Sequence, residues 1–270
     1  MRRPLFLLSA LLALLLPAAA LFAAPAEVRL LHGWREDARH VAGLEIVLEP
    51  GWHTYWRVPG AAGIAPRFDW SGSTNLRDAR IEWPHPEVFE IFGFRTIGYH
   101  DRVVLPIVLT PATPGAPIDL RLTLSYGVCK DVCIPAESRV SGRLVPEATQ
   151  RHGRQDIEDA LARRAFRAGE AGVLDTTCRL APNGRGHAVA ATVQLARAPG
   201  LPQVAVIEVA RPRDIWIGET SAETIGAVVT AEAPVEAPGL AGFALDRSGL
   251  RVTLIDPVRT VEIEGCRAPD

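Results

Sequence analysis

Apolar and polar side chains alternate along much of the chain between residues 27 and 146. Every second residue is apolar in residues 120–126, and Leu44, Ile46 and Leu48 show the same pattern earlier in the chain. A period of two is typical of strands that bury one face. Turn-forming Pro-Gly and Ser-Gly pairs separate the runs, for example at residues 50–51 and 71–72. Several short strands at this spacing predict a β-sandwich of the immunoglobulin-like type.

Residues 103–109 form a continuous apolar run, which fits a strand in the core of this sandwich. The run contains Pro106, which has no backbone N–H to donate to a neighbouring strand. We therefore expect this strand to lie at a sheet edge or to contain a bulge.

The pattern changes near residue 152. Apolar residues at positions 157, 160, 161 and 165 follow Asp156 at helical spacing, and Gly169 and Gly172 are expected to stop this helix. The period of two then returns between residues 174 and 266. The chain is therefore predicted to be all-β, with an immunoglobulin-like β-sandwich at residues 27–149. A short linker helix at residues 150–172 and a second β-rich domain, itself a candidate sandwich, at residues 173–270 would follow.

The first 26 residues have the pattern of a secretory signal peptide. Arg2 and Arg3 precede an almost unbroken apolar run over residues 5–24, and residues 24–26 (APA) supply a cleavage site of small residues. The alternative is an uncleaved membrane anchor, because the run is nearly long enough to span a bilayer. We expect cleavage, no membrane span in the mature chain, and export to an oxidising compartment where cysteines can pair.

Composition narrows the possible functions. The 29 basic and 31 acidic residues give a formal charge of -2, so there is no excess of positive charge to bind a nucleic acid. The sequence contains no phosphate-binding loop, no Gly-x-Ser-x-Gly and no HExxH. Hydrolase and nucleotide chemistry therefore have no support, and the candidate chemistry rests on the cysteines.

Four cysteines, Cys129, Cys133, Cys178 and Cys266, allow three pairings. Two fall in each predicted domain, so Cys129–Cys133 together with Cys178–Cys266 is the economical arrangement. Residues four apart on a straight strand are about 13 Å from each other, whereas a disulfide needs Cα atoms at about 4.4–6.8 Å. The chain must therefore turn between Cys129 and Cys133 if these two residues are to bond.

The two bridges would differ in their effect on stability. In the chain-entropy model, the loop from Cys129 to Cys133 contributes about 2 kcal/mol, and the loop from Cys178 to Cys266 about 4.6 kcal/mol. We therefore expect Cys178–Cys266 to be a structural disulfide, and the short bridge to be easier to reduce, as catalytic disulfides are. Lys130, the single lysine of the chain, favours a thiolate beside it, and Asp131 opposes that effect.

Two other roles for the short pair stay open. The first is a structural clip on a hairpin. The second is a metal site, because two thiolates with a histidine from elsewhere suit Cu(I) or Zn²⁺. His53, His85 and His100 share the first predicted domain, but none stands at ligand spacing from the cysteines.

Two aromatic segments are weaker candidates. His53 lies in an aromatic strand, where a lone histidine is more often a packed core residue than a catalyst. Phe89, Phe92 and Phe94 fall within six residues that are interrupted by Gly93. This run is either a buried strand or, as we predict, a mobile apolar flap that shields the disulfide.

Four segments also carry a family resemblance. They are residues 51–60 (GWHTYWRVPG), residues 81–86 (IEWPHP), Gly98-Tyr99 with residues 103–106, and residues 128–135 (VCKDVCIP). Together they resemble the periplasmic N-terminal domain of the DsbD family of thiol:disulfide interchange proteins. The branch that they resemble most is that of the ScsB-type proteins, which are linked to copper tolerance.

The resemblance implies an immunoglobulin-like domain in the periplasm with a redox-active pair, to which Cys129 and Cys133 correspond. It also implies that this domain takes electrons from a membrane-embedded partner and reduces thioredoxin-fold proteins of the periplasm. The segment from Phe89 to Phe94 falls where the family has a cap loop. We expect no cofactor, no bound metal and no nucleic-acid partner.

The sequence departs from the family pattern in two respects. No transmembrane carrier or thioredoxin-like domain follows the second β domain, so we expect a separate membrane protein to donate electrons. The two cysteines are also closer together than in the best-known family pattern. The predicted function is a thiol:disulfide oxidoreductase, of the protein-disulfide reductase type, that relays electrons through the Cys-x3-Cys pair to or from thioredoxin-fold partners. The alternatives are a copper-binding protein that uses the same thiols, and a non-catalytic periplasmic binding module.

Overall fold

The computed structural model describes residues 25–61, 63–91, 93–146, 153–183, 186–201, 204–209, 215–236 and 246–269. The predicted signal peptide lies outside these residues, except for its last two positions. The described part of the chain is built almost entirely of strands with one short α-helix, which confirms the predicted all-β fold class. No helix in this part is both long enough and apolar enough to cross a membrane.

The first half of the chain forms two packed sheets, which we call the first sandwich. Its strands are β1 (Ala26–Glu36), β2 (Arg39–Leu48), β3 (His53–Gly60), β4 (Arg67–Asp69), β5 (Leu76–Ile81), β6 (Glu87–Ile91), β7 (Phe94–His100), β8 (Arg102–Pro111), β9 (Ile118–Cys129) and β10 (Cys133–Leu144). One sheet has the order β1-β2-β8-β5, and the other has the order β10-β9-β3-β7-β6, with β4 beside β9.

The core of the first sandwich consists of the apolar positions that alternate in the sequence. Leu120, Leu122 and Leu124 of β9 are fully buried, and so are Leu44 of β2 and Ile107 of β8. Burying a side chain of this size contributes about 1.5–3 kcal/mol. This layer therefore holds the two sheets together.

Strand β8 is central, which corrects the expectation from Pro106. It pairs with β2 on one side and β5 on the other. The carbonyl of Pro106 accepts a hydrogen bond from the Glu82 N–H at 2.9 Å, just beyond Ile81, the last residue of β5. The N–H and C=O groups of one strand residue point to the same side. The backbone N–H that proline lacks would therefore point to the β5 side, beyond the last residue of β5. The sheet loses no hydrogen bond between strands at this position.

The helix, α1 (Arg154–Ala162), is shorter than the predicted linker and ends well before Gly169. Its buried residues Ile157 and Ala160 pack on the outer face of the β1-β2-β8 sheet. Gly43 of β2 makes this possible, since a Cβ there would lie 2.8 Å from Cγ1 of Ile157. Because α1 covers the second face of β2, that strand is buried on both sides rather than on one.

The second half of the chain forms another pair of sheets, the second sandwich. Its strands are β11 (Phe166–Arg167), β12 (Val173–Pro182), β13 (His187–Leu195), β14 (Val204–Val209), β15 (Trp216–Ile217), β16 (Ser221–Ile225), β17 (Val228–Glu236), β18 (Leu250–Ile255) and β19 (Thr260–Glu264). The sheet orders are β11-β19-β18-β14 and β12-β13-β17-β15, with β16 also paired to β17. A disulfide joins Cys178 of β12 to Cys266, which follows β19, and so links the two sheets.

A buried arginine joins the two sandwiches. The guanidinium of Arg57, within β3, binds the Glu208 carboxylate of β14 at 2.8 Å and the Glu262 carboxylate of β19 at 2.8 Å. It also donates to Thr253 Oγ1 of β18 at 3.0 Å and lies 4.0 Å from the centre of the Trp56 ring. Burial alone would lower the pKa of Arg57, but the two carboxylates raise it. The domain limits at residues 149 and 173 stay a prediction.

Candidate functional site

Cys129 and Cys133 close a hairpin. Strand β9 runs to Cys129, and β10 begins at Cys133, so the chain turns between the two cysteines as expected. The two cysteines lie directly opposite each other, form a disulfide and have Cα atoms 4.2 Å apart. The Lys130 N–H donates to the Val132 carbonyl at 3.2 Å and closes the turn between them.

The hairpin places the disulfide in a row of side chains across four neighbouring strands. Cys133 of β10 pairs with Cys129 of β9, which pairs with His53 of β3, which in turn pairs with His100 of β7. Directly paired residues point to the same face of a sheet. The residues next to these on β3 and β9, Thr54 and Val128, are buried, and Val128 belongs to the core. The row therefore lies on the sheet face that points away from the core.

The two sulfur atoms have different environments. The Cys129 residue is only 1% exposed, whereas Cys133 is exposed at the start of the edge strand β10. Attack on a disulfide requires an approach to one of its sulfur atoms. The geometry therefore presents the Cys133 sulfur to a partner and keeps the Cys129 sulfur inside.

Tyr55 contacts both sulfur atoms. Its hydroxyl lies 2.9 Å from Cys129 Sγ and 3.0 Å from Cys133 Sγ, and it must donate, because disulfide sulfurs carry no proton. The Tyr55 ring lies against Gly127, where a Cβ would come within 2.9 Å of Tyr55 Cε2. Burial raises the pKa of Tyr55, so its hydroxyl stays protonated and remains a donor.

We expect the Tyr55→Phe variant to slow reduction of the disulfide by dithiothreitol by about tenfold. When Cys133 is attacked, Cys129 leaves as a buried thiolate, and a hydrogen bond to a charged group contributes about 1.5–3 kcal/mol. Stopped-flow reduction kinetics measure the effect. The matched control is Tyr126→Phe, which removes a hydroxyl that contacts Ser138 Oγ at 3.1 Å. Equal rates for the two variants would contradict a role for the Tyr55 hydroxyl.

His53 lies beside this site and is buried, with 2% of its surface exposed. Its ring packs edge-on against Tyr55 and Phe89 and is tilted against His100. Burial, and then the neighbouring His100, lower the pKa of His53 below its usual value. Its Nε2 has no hydrogen-bond partner among the described residues.

The structure gives Lys130 and Asp131 a peripheral place in the turn. Both are exposed, and the Lys130 ammonium donates to the Pro50 carbonyl at 3.4 Å. The effect of either residue on the cysteine thiols stays a prediction.

The described part of the phenylalanine segment lies on two paired strands, β6 and β7, and its mobility stays a prediction. Phe89 belongs to β6 and Phe94 to β7, and Phe92 lies outside the described residues. Phe89 is half-buried against His53 and His100, whereas Phe94 is 50% exposed. This segment thus covers His53 through Phe89. Its predicted shielding of the disulfide stays a prediction.

Sequence reasoning did not single out Tyr55 and treated His53 as a core residue. Both side chains lie on the outer face of β3. In a strand with only one face in the core, the outer face usually carries polar, solvated side chains. The available signal was Gly127, because a glycine inside a strand often marks a close approach by another group. Among the described residues, no group of three or more His, Cys, Asp or Glu side chains is placed to hold a metal ion.

Comparison with known proteins adds a family match. Residues 22–144 match the family described as the N-terminal part of the thiol:disulfide interchange protein DsbD. No curated protein sequence matches the chain. The structure is similar to the N-terminal periplasmic domain of ScsB from Proteus mirabilis, with a TM-score of 0.65 and 20% identity over 91% of this chain and 92% of that one.

The N-terminal domain of Neisseria meningitidis DsbD in the reduced form was also found, with a TM-score of 0.25 and 21% identity over 43% of this chain and 82% of that one. The likeness to the ScsB domain shows a shared fold across both sandwiches. The family match covers the first sandwich and includes the cysteine pair, Tyr55 and His53. Over residues 22–144, the chain is therefore similar to the N-terminal domains of DsbD proteins.

Proposed function

We propose that this protein is a periplasmic thiol:disulfide interchange protein that relays two electrons through Cys129 and Cys133 to or from thioredoxin-fold partners. The observation that carries the proposal is the asymmetry of the pair. Cys133 is exposed at a sheet edge, Cys129 is buried, and one tyrosine hydroxyl contacts both sulfur atoms. A purely structural clip has no need of such an arrangement.

The reaction follows from this asymmetry. A thiolate of the electron donor attacks Cys133 Sγ, a mixed disulfide forms, and Cys129 leaves as a thiolate that takes up a proton. The second thiolate of the donor then attacks the donor sulfur that is bonded to Cys133. The donor disulfide forms and Cys133 is released. The donor dithiol is oxidised to a disulfide and the Cys129–Cys133 pair is reduced to two thiols. The same steps in reverse pass the electrons to an acceptor disulfide.

The surface around Cys133 supports docking of a protein partner. Val132 in the turn is 64% exposed, and Ile134 next to Cys133 is exposed as well. Apolar side chains grouped around a reactive atom are typical of a protein interface. Similarity to the DsbD N-terminal family points to thioredoxin-fold proteins as partners. The similar ScsB domain is described as periplasmic, which supports the same location for this chain.

We further propose that the electron donor is a separate membrane protein. The chain would be organised as a redox sandwich at residues 27–149, a linker at residues 150–172 and a second β domain at residues 173–270, with Cys178–Cys266 as a structural bridge.

A redox titration in glutathione buffers tests the proposal. We expect one reversible two-electron transition, in which a thiol trap labels Cys129 and Cys133 while Cys178–Cys266 stays oxidised, because Cys178 is buried and its bridge closes a long loop. Mass spectrometry of the trapped protein assigns the labelled residues. Labelling of Cys178 and Cys266 first would contradict the proposal. Protection of both thiols of the reduced pair by Cu(I) would favour the copper-binding alternative.

A further inference from the structure

Strand β3 places an unused titratable side chain next to the redox pair. His53 is directly opposite Cys129, is almost fully buried, and its Nε2 lacks a hydrogen-bond partner among the described residues. Opposite residues in an antiparallel pair have Cβ atoms about 4.5–5.5 Å apart on the same face, so the imidazole can reach the Cys129 sulfur. An unpaired buried polar atom costs free energy and is uncommon in folded proteins.

We infer that His53 is the base that accepts the proton of the Cys129 thiol when the dithiol closes to a disulfide. The inference rests on the proposed redox function and assigns a further residue to it. In the disulfide neither sulfur carries a proton, so His53 has nothing to accept and its Nε2 is unpaired. Reduction creates the missing donor, a Cys129 S–H, on the neighbouring strand.

Cys133 Sγ first attacks an acceptor disulfide, so that one acceptor sulfur leaves as a thiolate and the other is joined to Cys133 in a mixed disulfide. The Cys129 S–H gives its proton to His53 Nε2, and the thiolate attacks Cys133 Sγ. The Cys129–Cys133 bond forms, and the bond from Cys133 to the acceptor breaks with its electron pair on the acceptor sulfur. The acceptor leaves as a thiolate and is reduced, and the protein pair is oxidised.

His53 suits this role better than Tyr55 does. Burial raises the pKa of the Tyr55 hydroxyl, which therefore stays protonated and acts as a donor to sulfur. The charged and titratable groups that face His53 are Tyr55 on its own strand, Cys129 on β9, and His100 on β7 with Glu87 of β6 at 2.7 Å behind it. Burial and His100 lower the pKa of His53, so the imidazole is neutral and able to accept a proton at neutral pH.

The closing step should therefore have a distinctive pH dependence. A base with a lowered pKa is disabled only when the pH falls below that pKa, and so it works down to a pH of about 6.5 or lower. With the base in place, the closing rate should be nearly constant between about pH 8 and pH 6.5. Without it, closure depends on the thiolate fraction alone and should fall about tenfold per pH unit.

The test uses the reduced full chain and the aromatic disulfide DTNB in equal amounts. Attack by Cys133 releases a first coloured thiolate, and closure by Cys129 releases a second, so the two steps appear as two phases. We expect His53→Gln to slow the second phase by at least about tenfold and to leave the first within about twofold. In this variant, the rate of the second phase should also fall about tenfold per pH unit, whereas the wild-type rate stays nearly constant.

His40→Gln is the matched control. His40 is a buried histidine in β2, on the other sheet of the first sandwich, and its Nε2 lies 2.6 Å from the His32 carbonyl. Its replacement should lower stability without changing the second phase. A normal second phase in folded His53→Gln would overturn the role of His53 and leave the redox function standing. A wild-type protein with no second phase would overturn the redox function itself. If His53→Gln does not fold, the pH dependence of the wild-type second phase decides. A tenfold rise in its rate per pH unit would overturn the inference.

Discussion

Cys129→Ser is expected to accumulate as a mixed disulfide with thioredoxin-fold proteins, whereas Cys133→Ser is not. Cys133 is the exposed sulfur, so it remains available for attack when Cys129 is absent. In the proposed reaction the buried Cys129 releases the partner, so without it the mixed disulfide should persist. Neither variant can carry out a two-electron cycle, so we expect turnover to fall to the background rate in both.

The trapped species should be seen on non-reducing gels of periplasmic extracts, as a higher-mass band that disappears when dithiothreitol is added. Mass spectrometry then identifies the linked peptide. The fold should survive, because the lost bridge is worth about 2 kcal/mol at most against a typical stability of about 5–15 kcal/mol. The double variant with both serines is the control for non-specific capture. Capture by Cys133→Ser in place of Cys129→Ser would refute the assignment of Cys133 as the attacked sulfur.

Arg57→Met is expected to lower the free energy of unfolding by about 3–5 kcal/mol, the usual cost of removing one partner from a buried ion pair. The Arg57 side chain is 11% exposed and is surrounded by two carboxylates from the second sandwich. Glu262 also contacts Arg167 at 2.8 Å, but Glu208 has no second ion-pair partner within the described ranges. The Glu208 carboxylate would therefore be left buried and uncompensated.

Urea denaturation measures this loss. Arg139→Met is the matched control, because Arg139 forms a surface ion pair with Glu137 and such pairs contribute about 0–1 kcal/mol. The double variant Arg57→Met with Glu208→Gln should regain part of the stability, because it removes the unpaired charge. A loss for Arg57→Met no larger than that for Arg139→Met would show that the buried ion pairs do not hold the sandwiches together.

The sequence predicts the strands well because their signal is local. In β9, for example, apolar and polar residues alternate because only one face of the strand lies in the core. The observed burial of Leu120, Leu122 and Leu124 follows this alternation. The local pattern also predicts helix α1, but it does not predict where the helix ends. Just past the helix, Arg164 pairs with Pro84 and Phe166 of β11 pairs with Val261, and both partners are distant in the sequence.

What the sequence could not supply was the set of contacts between distant segments. Nothing in the local pattern indicates that Pro106 faces the end of β5, or that Arg57 meets Glu208, which is 151 residues away. Tyr55 and His53 are a similar case. Their roles depend on which strands adjoin β3, and that is a property of the sheet order and not of the residues themselves.

The turn between Cys129 and Cys133 holds Lys130, the chain's single lysine, and its side chain is exposed. Apart from the amine at the chain terminus, an amine-reactive dye would therefore attach to the protein at this position alone. Such a dye would sit within the turn that Cys129 and Cys133 close, where its fluorescence can report the binding of a partner. A bifunctional amine reagent would likewise cross-link the protein to whatever covers this turn. The natural sequence thus carries a single labelling site beside the Cys129–Cys133 disulfide without any engineered residue.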